Sequence, residues 1–498
     1  MGKQEQRMSL AGRLVALALA YVLAVTAAGC SSGPNDASEQ TTPSQSPSAS
    51  SSSTSGTRPA PRTEPASPGG FQVISGLGVN ANVHSWNNGE LKPAIDKIAD
   101  LGELTWRVII DKADWEAEEI PGGTETIDWA LYSPIYENGK MADLWDTVGY
   151  INSKPNQQVM VNVMGGVPGW MGGNRIDESR EDHWVRMIAS MVAYGREVRG
   201  LDFTLLGPMN ETDWNGIEGP QVGPEQYVRL LHKLIVRLDG LGLSDIRLVA
   251  PDTASAAKAA SEYLPALAAD PLVMSRLAHF AIHTYDGDSA GMKSALPEVA
   301  GPGLDFWITE FSGPCPGCDS GSPNPTDWTS AAATAGYALD LLEQGAAGLQ
   351  QYDAWDGYYE HHESMGYWGL LAYDPAAGTY TPRKTYFVLR QLISHTPRNA
   401  VRIEASAEGD GVKVVAFLDQ KSGRITFFGH NTSDRKVEAK LHAPALVQSV
   451  QLASYATDAT RDMEPGEPAV LAGGAATYTA APGSVFTLTG IPTEGQAP

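Results

Sequence analysis

The sequence predicts an α/β fold in which a TIM-type (β/α)8 barrel is followed by a small all-β sandwich domain. Over residues 70–395, eight short apolar runs alternate with amphipathic helical stretches, which is typical of parallel strands that close into a barrel. After Pro397, short alternating runs are separated by Gly, Asp and Pro with no helical pattern between them. That sequence pattern is typical of an antiparallel sandwich.

The eight predicted barrel strands are short and mostly apolar. They are expected at residues 73–80, 104–110, 159–164, 203–209, 246–250, 279–283, 306–310 and 348–352. Helical patterns at 227–238, 332–342 and 385–393 place their apolar residues on one face. A Rossmann-like open sheet is the competing interpretation. It is weakened because no Gly-x-Gly-x-x-Gly motif follows the first strand.

The predicted domain boundary lies between a barrel at residues 69–396 and a sandwich at residues 397–498. The sandwich strands are expected at residues 400–405, 412–418, 424–430, 437–442, 447–455, 475–480 and 485–489. We expect this domain to stabilise the barrel by packing on it. Phe427 and Phe428 are its most prominent aromatic residues and are expected in its core.

The first 30 residues have the pattern of a targeting segment. A basic start is followed by a short apolar run at residues 14–26 and by small residues ending at Cys30. This arrangement resembles a bacterial lipobox, in which the cysteine is acylated. A plain signal peptide with an incidental cysteine is the alternative. Residues 31–68 are rich in Ser, Pro and Thr and predict a disordered tether. We therefore expect an extracytoplasmic lipoprotein whose lipid anchors it to the bacterial cell membrane.

The charge of the chain excludes some classes of partner. Lysine and arginine number 35 against 58 aspartate and glutamate residues, so the formal net charge is −23. Nucleic-acid binding requires a basic surface and is not expected. Anionic polymers are disfavoured for the same reason, and a neutral glycan is the more suitable partner. We expect the protein to be a monomer.

Two cysteines follow Cys30, in the sequence Cys315-Pro316-Gly317-Cys318. In an extracytoplasmic protein such a pair predicts a local disulfide. A zinc site would need two more ligands, and a thioredoxin-type motif should begin a helix. Because the pair follows the seventh predicted strand closely, we expect it to shape the rim of a pocket.

Two glutamates, Glu211 and Glu310, end the fourth and seventh predicted strands and lie 99 residues apart. The carboxyl ends of barrel strands form the face that carries catalysis in such folds. Two facing carboxyl groups can cleave a glycosidic bond, with one donating a proton and the other offering negative charge to the anomeric carbon. A separation of about 5 Å favours retention of configuration and a larger one favours inversion. The sequence leaves the distance open.

Polar neighbours of these acids support a sugar-cleaving site. Asn210 could bind a sugar hydroxyl, and Tyr285 in the His283-Thr284-Tyr285 segment could orient the nucleophile. Arg107 lies within the second strand, where burial would be costly without an anionic partner such as a glutamate.

Taken in order along the strands, Asn210-Glu211, His283-x-Tyr285, Glu310 and Trp355 resemble glycoside hydrolase clan A, a retaining (β/α)8 superfamily. The barrel with a following sandwich is most similar to families 30 and 39, and also to family 5. The resemblance implies that Glu211 is the acid/base and Glu310 the nucleophile. It also implies that Asn210 binds the 2-hydroxyl, that Tyr285 contacts the nucleophile and that Trp355 is the sugar platform. No metal or organic cofactor is needed.

Further aromatic residues fit a sugar groove, since indole faces pack on pyranose rings. Trp170 and Trp214 are expected to contribute with Trp355. The adjacent His361 and His362 are interpreted as exposed loop residues rather than metal ligands, because no matching ligand set is visible elsewhere in the sequence.

Two other classes of function remain open at this stage. The substrate-binding lipoprotein of a sugar importer would have two α/β lobes and no terminal sandwich, so the eight-unit pattern disfavours it. A catalytically silent glycan-binding protein could use the same groove, and the separation of the two carboxylates is the feature that discriminates it from a retaining enzyme.

Overall fold

The computed structural model describes residues 71–121, 126–285, 289–301, 303–322 and 327–492. The predicted signal peptide at 1–30, with the lipidation site Cys30, and the tether at 31–68 lie outside the described residues. No helix in the described part of the chain is long and apolar enough to cross a membrane.

Eight parallel strands close into a barrel, in which each strand pairs with its neighbours in chain order and β1 pairs with β8. The strands are β1 (Gly76–Asn82), β2 (Thr105–Ile110), β3 (Gln158–Val163), β4 (Leu205–Gly207), β5 (Arg247–Thr253), β6 (Leu277–His283), β7 (Phe306–Phe311) and β8 (Gly348–Gln351). Each coincides with a predicted strand to within a few residues. The predicted (β/α)8 barrel followed by a sandwich is confirmed.

Helices surround the barrel because their apolar faces cover the outward side chains of the strands. They are α1 (Lys92–Ala99), α2 (Trp129–Tyr136), α3 (Gly139–Asn152), α4 (Glu181–Ala193), α5 (Pro224–Gly240), α6 (Ala256–Lys258), α7 (Leu264–Ala268), α8 (Pro271–Arg276), α9 (Met292–Ala300), α10 (Asp327–Glu343) and α11 (Lys384–Ile393). In α5, Tyr227, Leu231, Leu234 and Leu238 are buried on one face, as the spacing predicts.

The barrel interior has an apolar half and a polar half. Trp307 fills the apolar half together with Met160, Leu205 and Val249. The ring fits because β1 and β8 present glycines to it. A Cβ atom on Gly348 would lie only 2.6 Å from the indole. Buried polar residues line the opposite half, at the carboxyl ends of the strands.

Two hairpins follow β8 and were not predicted. They pair β9 (Gly357–Tyr359) with β10 (Ser364–Gly366), and β11 (Leu371–Asp374) with β12 (Thr379–Pro382). They extend the chain over the carboxyl face of the barrel before α11 begins. The loop after β8 therefore has a folded structure that the sequence pattern alone did not indicate.

The C-terminal strands form a six-stranded sheet in the order β13-β15-β16-β21-β18-β19 and a three-stranded sheet in the order β14-β17-β20. Their bounds are β13 (Val401–Ile403), β14 (Ser406–Glu408), β15 (Val412–Leu418), β16 (Ile425–Asn431), β17 (Val437–His442), β18 (Val450–Thr457), β19 (Glu464–Leu471), β20 (Ala475–Ala480) and β21 (Val485–Gly490). The sequence missed β19 because it is an edge strand, largely exposed, and carries two prolines.

In the middle of the six-stranded sheet, strands β16 and β21 are buried on both faces. Phe427 packs in the core of the sandwich, whereas the adjacent Phe428 belongs to the hydrophobic core of the barrel. Gln391 of α11 donates from Nε2 to Thr457 Oγ1 at 2.7 Å and to the carbonyl oxygen of Val485 at 3.2 Å. The described residues between 71 and 492 all belong to one compact unit. The domain boundary predicted after residue 396 falls between α11 and β13.

We expect Gly348→Ala to lower the free energy of unfolding by about 1–3 kcal/mol, because the new methyl group overlaps the Trp307 ring in a packed interior. Urea unfolding followed by tryptophan fluorescence measures it. Gly240→Ala, at the end of α5 where a Cβ atom meets nothing within 4 Å, is the control and should be neutral or stabilising. Equal stability of the two variants would contradict this account of the barrel interior.

Candidate active site

A buried arginine organises the polar half of the barrel. Arg107 is fully buried in β2 and donates four short hydrogen bonds. Nη1 donates to Asn80 Oδ1 at 2.6 Å and to Glu310 Oε1 at 2.5 Å. Nη2 donates to Asn210 Oδ1 at 2.6 Å and to Asp252 Oδ2 at 2.7 Å. Burial would lower the pKa of Arg107, but the charges of the two carboxylates hold it above its usual range.

Asp252 is the second buried charge of the site and was missed by the sequence reasoning. It also accepts hydrogen bonds from Asn162 Nδ2 at 3.0 Å and from the hydroxyl of Thr309. Burial alone would raise the pKa of Asp252, but the charge of Arg107 and the bonds from His283 and Thr309 hold it well below its usual range. A signal was present, because Asp252 follows an apolar run just as Glu211 and Glu310 do.

Glu310 lies at the end of β7 with both carboxylate oxygens engaged. Besides the bond from Arg107 to Oε1, the hydroxyl of Tyr285 donates to Oε2 at 3.1 Å. His283 Nδ1 lies 3.6 Å from Oε2. These donors stabilise negative charge on Glu310 and fix the orientation of its carboxylate. The contact expected between Tyr285 and the nucleophile candidate is thus present in the structure.

Glu211 follows β4 with a left-handed backbone conformation, φ 40°, that turns its side chain over the barrel mouth. Its Oε1 lies 2.7 Å from His283 Nδ1. Burial raises the pKa of Glu211 to about 7, and the nearby charge of Glu310 adds to this rise while His283 opposes it. Burial would lower the pKa of His283, but the charges of Glu310 and Asp252 raise it to about 10.

The charges of the buried groups explain why Glu211 differs from Glu310. Arg107 and protonated His283 carry two positive charges, and Asp252 and Glu310 carry two negative charges. The four charges cancel. An ionised Glu211 would leave the buried cluster with a net negative charge, which is costly away from water. Glu211 is therefore the carboxyl group that holds a proton close to neutral pH, as a general acid requires.

The two carboxyl groups face the same cleft. One oxygen of Glu211 and one of Glu310 lie within 4.8 Å of each other and of a nitrogen of His283. The cleft has a volume of about 590 Å³. Its lining residues are Met164, Glu211, Trp214, Glu218, Ala254, Ser255, Lys258, Tyr285, Glu310, Asp319, Tyr352, His362 and Trp368. This volume is within the range of pockets that bind small molecules, so the cleft can hold part of a sugar chain beside both carboxyl groups.

Of the residues expected to bind substrate, some line the cleft, some lie beneath it, and two tryptophans lie outside it. Trp214 and Tyr285 line the cleft and are more than half exposed. Arg107, Asn210 and His283 lie beneath it and are fully buried. Asn210 uses its amide to bridge Arg107 and the carbonyl oxygen of Glu218, at 2.6 and 3.0 Å. These three position the carboxyl groups from below.

The expectation that Trp355 is the sugar platform is wrong. Trp355 is fully buried, packs against Trp106 with ring centroids 6.3 Å apart and donates to the carbonyl oxygen of Asn82 at 3.2 Å. The hairpins after β8 cover it, and its backbone forms an isolated β-bridge with Leu371 of β11. Trp368, which lies between those hairpins, lines the cleft instead.

Trp170 is also outside the cleft. Its Nε1 donates to the carbonyl oxygen of Glu116 at 2.9 Å, and its ring packs against Arg180 and His183 beside α4. The loop after β3 turns this indole toward the outside of the barrel. A short motif at a strand end did not determine the direction of a side chain that lies several residues into the loop.

Cys315 and Cys318 are joined in a disulfide, with Cα atoms 5.6 Å apart. The loop that they close supports the cleft wall. The backbone of Cys318 and Tyr367 is joined by a hydrogen bond of 3.2 Å, and Asp319 accepts a hydrogen bond from Nε1 of Trp368. The position of the cleft-lining tryptophan therefore depends on the loop after β7.

The interpretation of His361 as an exposed loop residue is wrong. Its side chain is 1% exposed and its Nδ1 lies 2.5 Å from Asp111 Oδ1. The loop after β8 folds back across the barrel mouth, where Asp111 directly follows β2 and Glu218 lies in the loop after β4. Two carboxylates that are distant in the sequence, Asp111 and Glu218, thus surround a histidine that the sequence predicts to be exposed.

The barrel is similar to those of known glycosyl hydrolases. Residues 152–352 match the family model described as "Glycosyl hydrolase catalytic core". No curated protein matches the chain significantly. The fold is similar to a GH30 endoxylanase from Clostridium papyrosolvens, with a TM-score of 0.64 and 17% identity over 84% of this chain and 97% of that chain.

Two further solved structures share the architecture. The catalytic domain of GH30 xylanase C from Talaromyces cellulolyticus has a TM-score of 0.62 and 15% identity, over 84% of this chain and 97% of that chain. A GH39 β-xylosidase from Caulobacter crescentus has a TM-score of 0.50 and 16% identity, over 84% and 96%. The fold expected from the resemblance to clan A is confirmed. With a glycosyl hydrolase catalytic core that contains both Glu211 and Glu310, the protein is a glycosidase.

Proposed function

We propose that the protein is a retaining glycosidase that hydrolyses O-glycosidic bonds of a polysaccharide or oligosaccharide outside the cell. The distance between the two carboxyl groups carries this proposal. One oxygen of Glu211 lies within 4.8 Å of one oxygen of Glu310, which fits the spacing of about 5–5.5 Å between the carboxyl groups of retaining enzymes better than the about 6.5–9.5 Å of inverting ones.

In the first step, Glu310 attacks the anomeric carbon while Glu211 gives its proton to the departing glycosidic oxygen. The carbon–oxygen bond of the substrate breaks, and a covalent glycosyl ester forms on Glu310. Loss of the Glu310 charge and deprotonation of Glu211 keep the negative charge of the site constant. Arg107 and Tyr285 hold the Glu310 carboxylate in place before attack, so little reorganisation is needed.

In the second step, ionised Glu211 takes a proton from water, which attacks the anomeric carbon and releases Glu310. The two inversions restore the original configuration. His283 contacts Glu211 at 2.7 Å and stabilises the ionised form that this step needs. The same histidine therefore limits how far burial raises the pKa of Glu211.

The chemical character of the cleft supports a neutral carbohydrate chain as the substrate. Trp214 and Trp368 offer aromatic faces on which sugar rings pack, and the acidic chain disfavours an anionic polymer. The similar structures include proteins named as xylanases and a β-1,6-glucanase, which indicates β-linked glycans as the first class to screen. Asn210 is proposed to act near the 2-hydroxyl through its remaining amide hydrogen.

We expect Glu310→Ala to lower turnover of the polysaccharide substrate by at least about 10³-fold, because the covalent step loses its nucleophile. Glu211→Ala should lose about 10²–10⁴-fold on the polysaccharide but spare the first step on aryl glycosides with good leaving groups, which need little proton transfer. Reducing-sugar release from a panel of plant and bacterial wall glycans, and burst kinetics on aryl glycosides, measure these effects.

Glu298→Gln, an exposed glutamate on α9, is the matched control for these variants and should retain full activity. Undiminished turnover by Glu310→Ala would refute the assignment of the nucleophile. Equal losses by Glu211→Ala on activated and unactivated substrates would refute the assignment of the acid.

The pH dependence of kcat/KM should show an alkaline limb close to pH 7, since Glu211 must be protonated in the free enzyme and its pKa is raised to about 7. His283→Gln removes a charge that lowers this pKa, so the pKa of Glu211 rises and the limb moves to higher pH. His232→Gln, which breaks a similar histidine–carboxylate pair on α5, is the control. A limb that stays in place or moves to lower pH in His283→Gln contradicts the proposed coupling.

We further propose that Cys30 is acylated and that residues 31–68 tether the enzyme to the bacterial cell membrane. The full chain expressed in a bacterial host should incorporate labelled palmitate and sediment with membranes, and Cys30→Ser should lose both properties. Secretion of the unaltered chain without label would instead support a plain signal peptide.

A further inference from the structure

A second cluster of ionisable side chains lies on the cleft wall and takes no part in the proposed reaction. Glu218 comes from the loop after β4, and His361 and His362 come from the loop after β8. One ligand atom from each lies within 4.8 Å of the other two. Glu218 and His362 line the cleft, whereas the His361 side chain is buried behind them.

The contacts in this cluster are arranged around a common point. His361 Nε2 lies 2.9 Å from Glu218 Oε2, and His362 Nε2 lies 3.4 Å from Glu218 Oε1. His361 Nε2 is buried and has the Glu218 carboxylate as its ion-pair partner, so a metal ion bound there would displace the proton that lies between them. With bonds of about 2.0–2.2 Å in a tetrahedral shell, two ligands of one zinc ion lie roughly 3.3–3.5 Å apart. The distance between His362 and Glu218 has this value, and the His361–Glu218 pair at 2.9 Å would open slightly around the ion.

Asp111 supplies the outer support that such a site requires. It is fully buried, and its Oδ1 lies 2.5 Å from His361 Nδ1 while its Oδ2 accepts from the backbone N–H of Glu360. A hydrogen bond from Nδ1 to a carboxylate fixes the tautomer in which Nε2 presents a lone pair. Metal-bound histidines usually donate to a carboxylate or carbonyl group in this manner.

We propose that His361 Nε2, His362 Nε2 and the carboxylate of Glu218 bind one zinc ion, with a water molecule from the cleft as the fourth ligand. Two imidazoles and one carboxylate form a ligand set suited to zinc, whereas calcium and magnesium require oxygen ligands. The two negative charges of Asp111 and Glu218 match the charge of the ion. The zinc ion ties the loops after β4 and β8 together and so fixes one wall of the cleft.

Glu211, Glu310 and the positioning residue His283 have a similar spacing but are less suited to a metal ion. Arg107 already supplies a positive charge to Glu310, and His283 Nδ1 is engaged with Glu211. A further cation there would face Arg107 at close range. The proposed zinc site therefore contributes to the shape of the cleft and not to proton transfer, and its test does not depend on catalysis.

Calorimetric titration of the EDTA-dialysed full chain with zinc chloride tests this site. We expect one zinc ion per chain, a raised Tm in the presence of zinc, and no comparable binding of calcium or magnesium. His362→Ala and Glu218→Gln should each weaken zinc binding at least about tenfold, as should Asp111→Asn through the orientation of His361. His232→Ala, which removes a histidine paired with Asp270 outside the cluster, should bind zinc as the unaltered chain does.

Cobalt provides a measurement that needs no substitution. The cobalt-loaded unaltered chain should show the intense visible absorption of a four- or five-coordinate ion, and added zinc should remove it. Absence of zinc binding by the unaltered chain would overturn the proposal and identify His361 as a protonated bridge between Asp111 and Glu218. Equal zinc affinity in the unaltered chain and a His362→Ala, Glu218→Gln double variant with an unchanged circular dichroism spectrum would also overturn it.

Discussion

The burial of a single positive charge inside a barrel is the constraint on which the site depends. Arg107 has no access to water, so its guanidinium must be surrounded by acceptors and its charge must be matched. The strands meet this need from several directions, with amide oxygens from Asn80 and Asn210 and carboxylates from Asp252 and Glu310. Each acceptor lies on a different strand or strand end. The site can therefore form only when the barrel is closed.

Charge matching then distinguishes two glutamates that look alike in the sequence. Glu310 contacts Arg107 directly, whereas Glu211 meets the cluster only through His283. Once Arg107 and His283 are balanced by Asp252 and Glu310, a fifth charge has no partner, and burial favours the protonated form of Glu211. The roles proposed for the two carboxyl groups therefore follow from which of them contacts the buried arginine directly.

The barrel strands and the two glutamates could be predicted because strand patterns are local and because the carboxyl ends of parallel strands meet on one face. Asp252 carried the same signal. Other features depend on the three-dimensional paths of loops. The sequence predicts Trp355 in the cleft, but hairpins cover it, and it predicts His361 in solvent, but carboxylates from distant segments enclose it. Strand β19 was missed because an exposed edge lacks the alternation that marks a half-buried strand.

The two-sided burial of the central strands of the six-stranded sheet has a consequence for the evolution of this protein. On strand β16, Phe427 belongs to one hydrophobic core and its neighbour Phe428 to the other. The sandwich domain cannot be transferred between genes without the barrel. Separating the two domains would expose the apolar face of the sheet and the apolar surface of the barrel that it covers. The catalytic barrel and the domain behind it should be inherited together, and changes at their shared sheet should arise in compensating pairs.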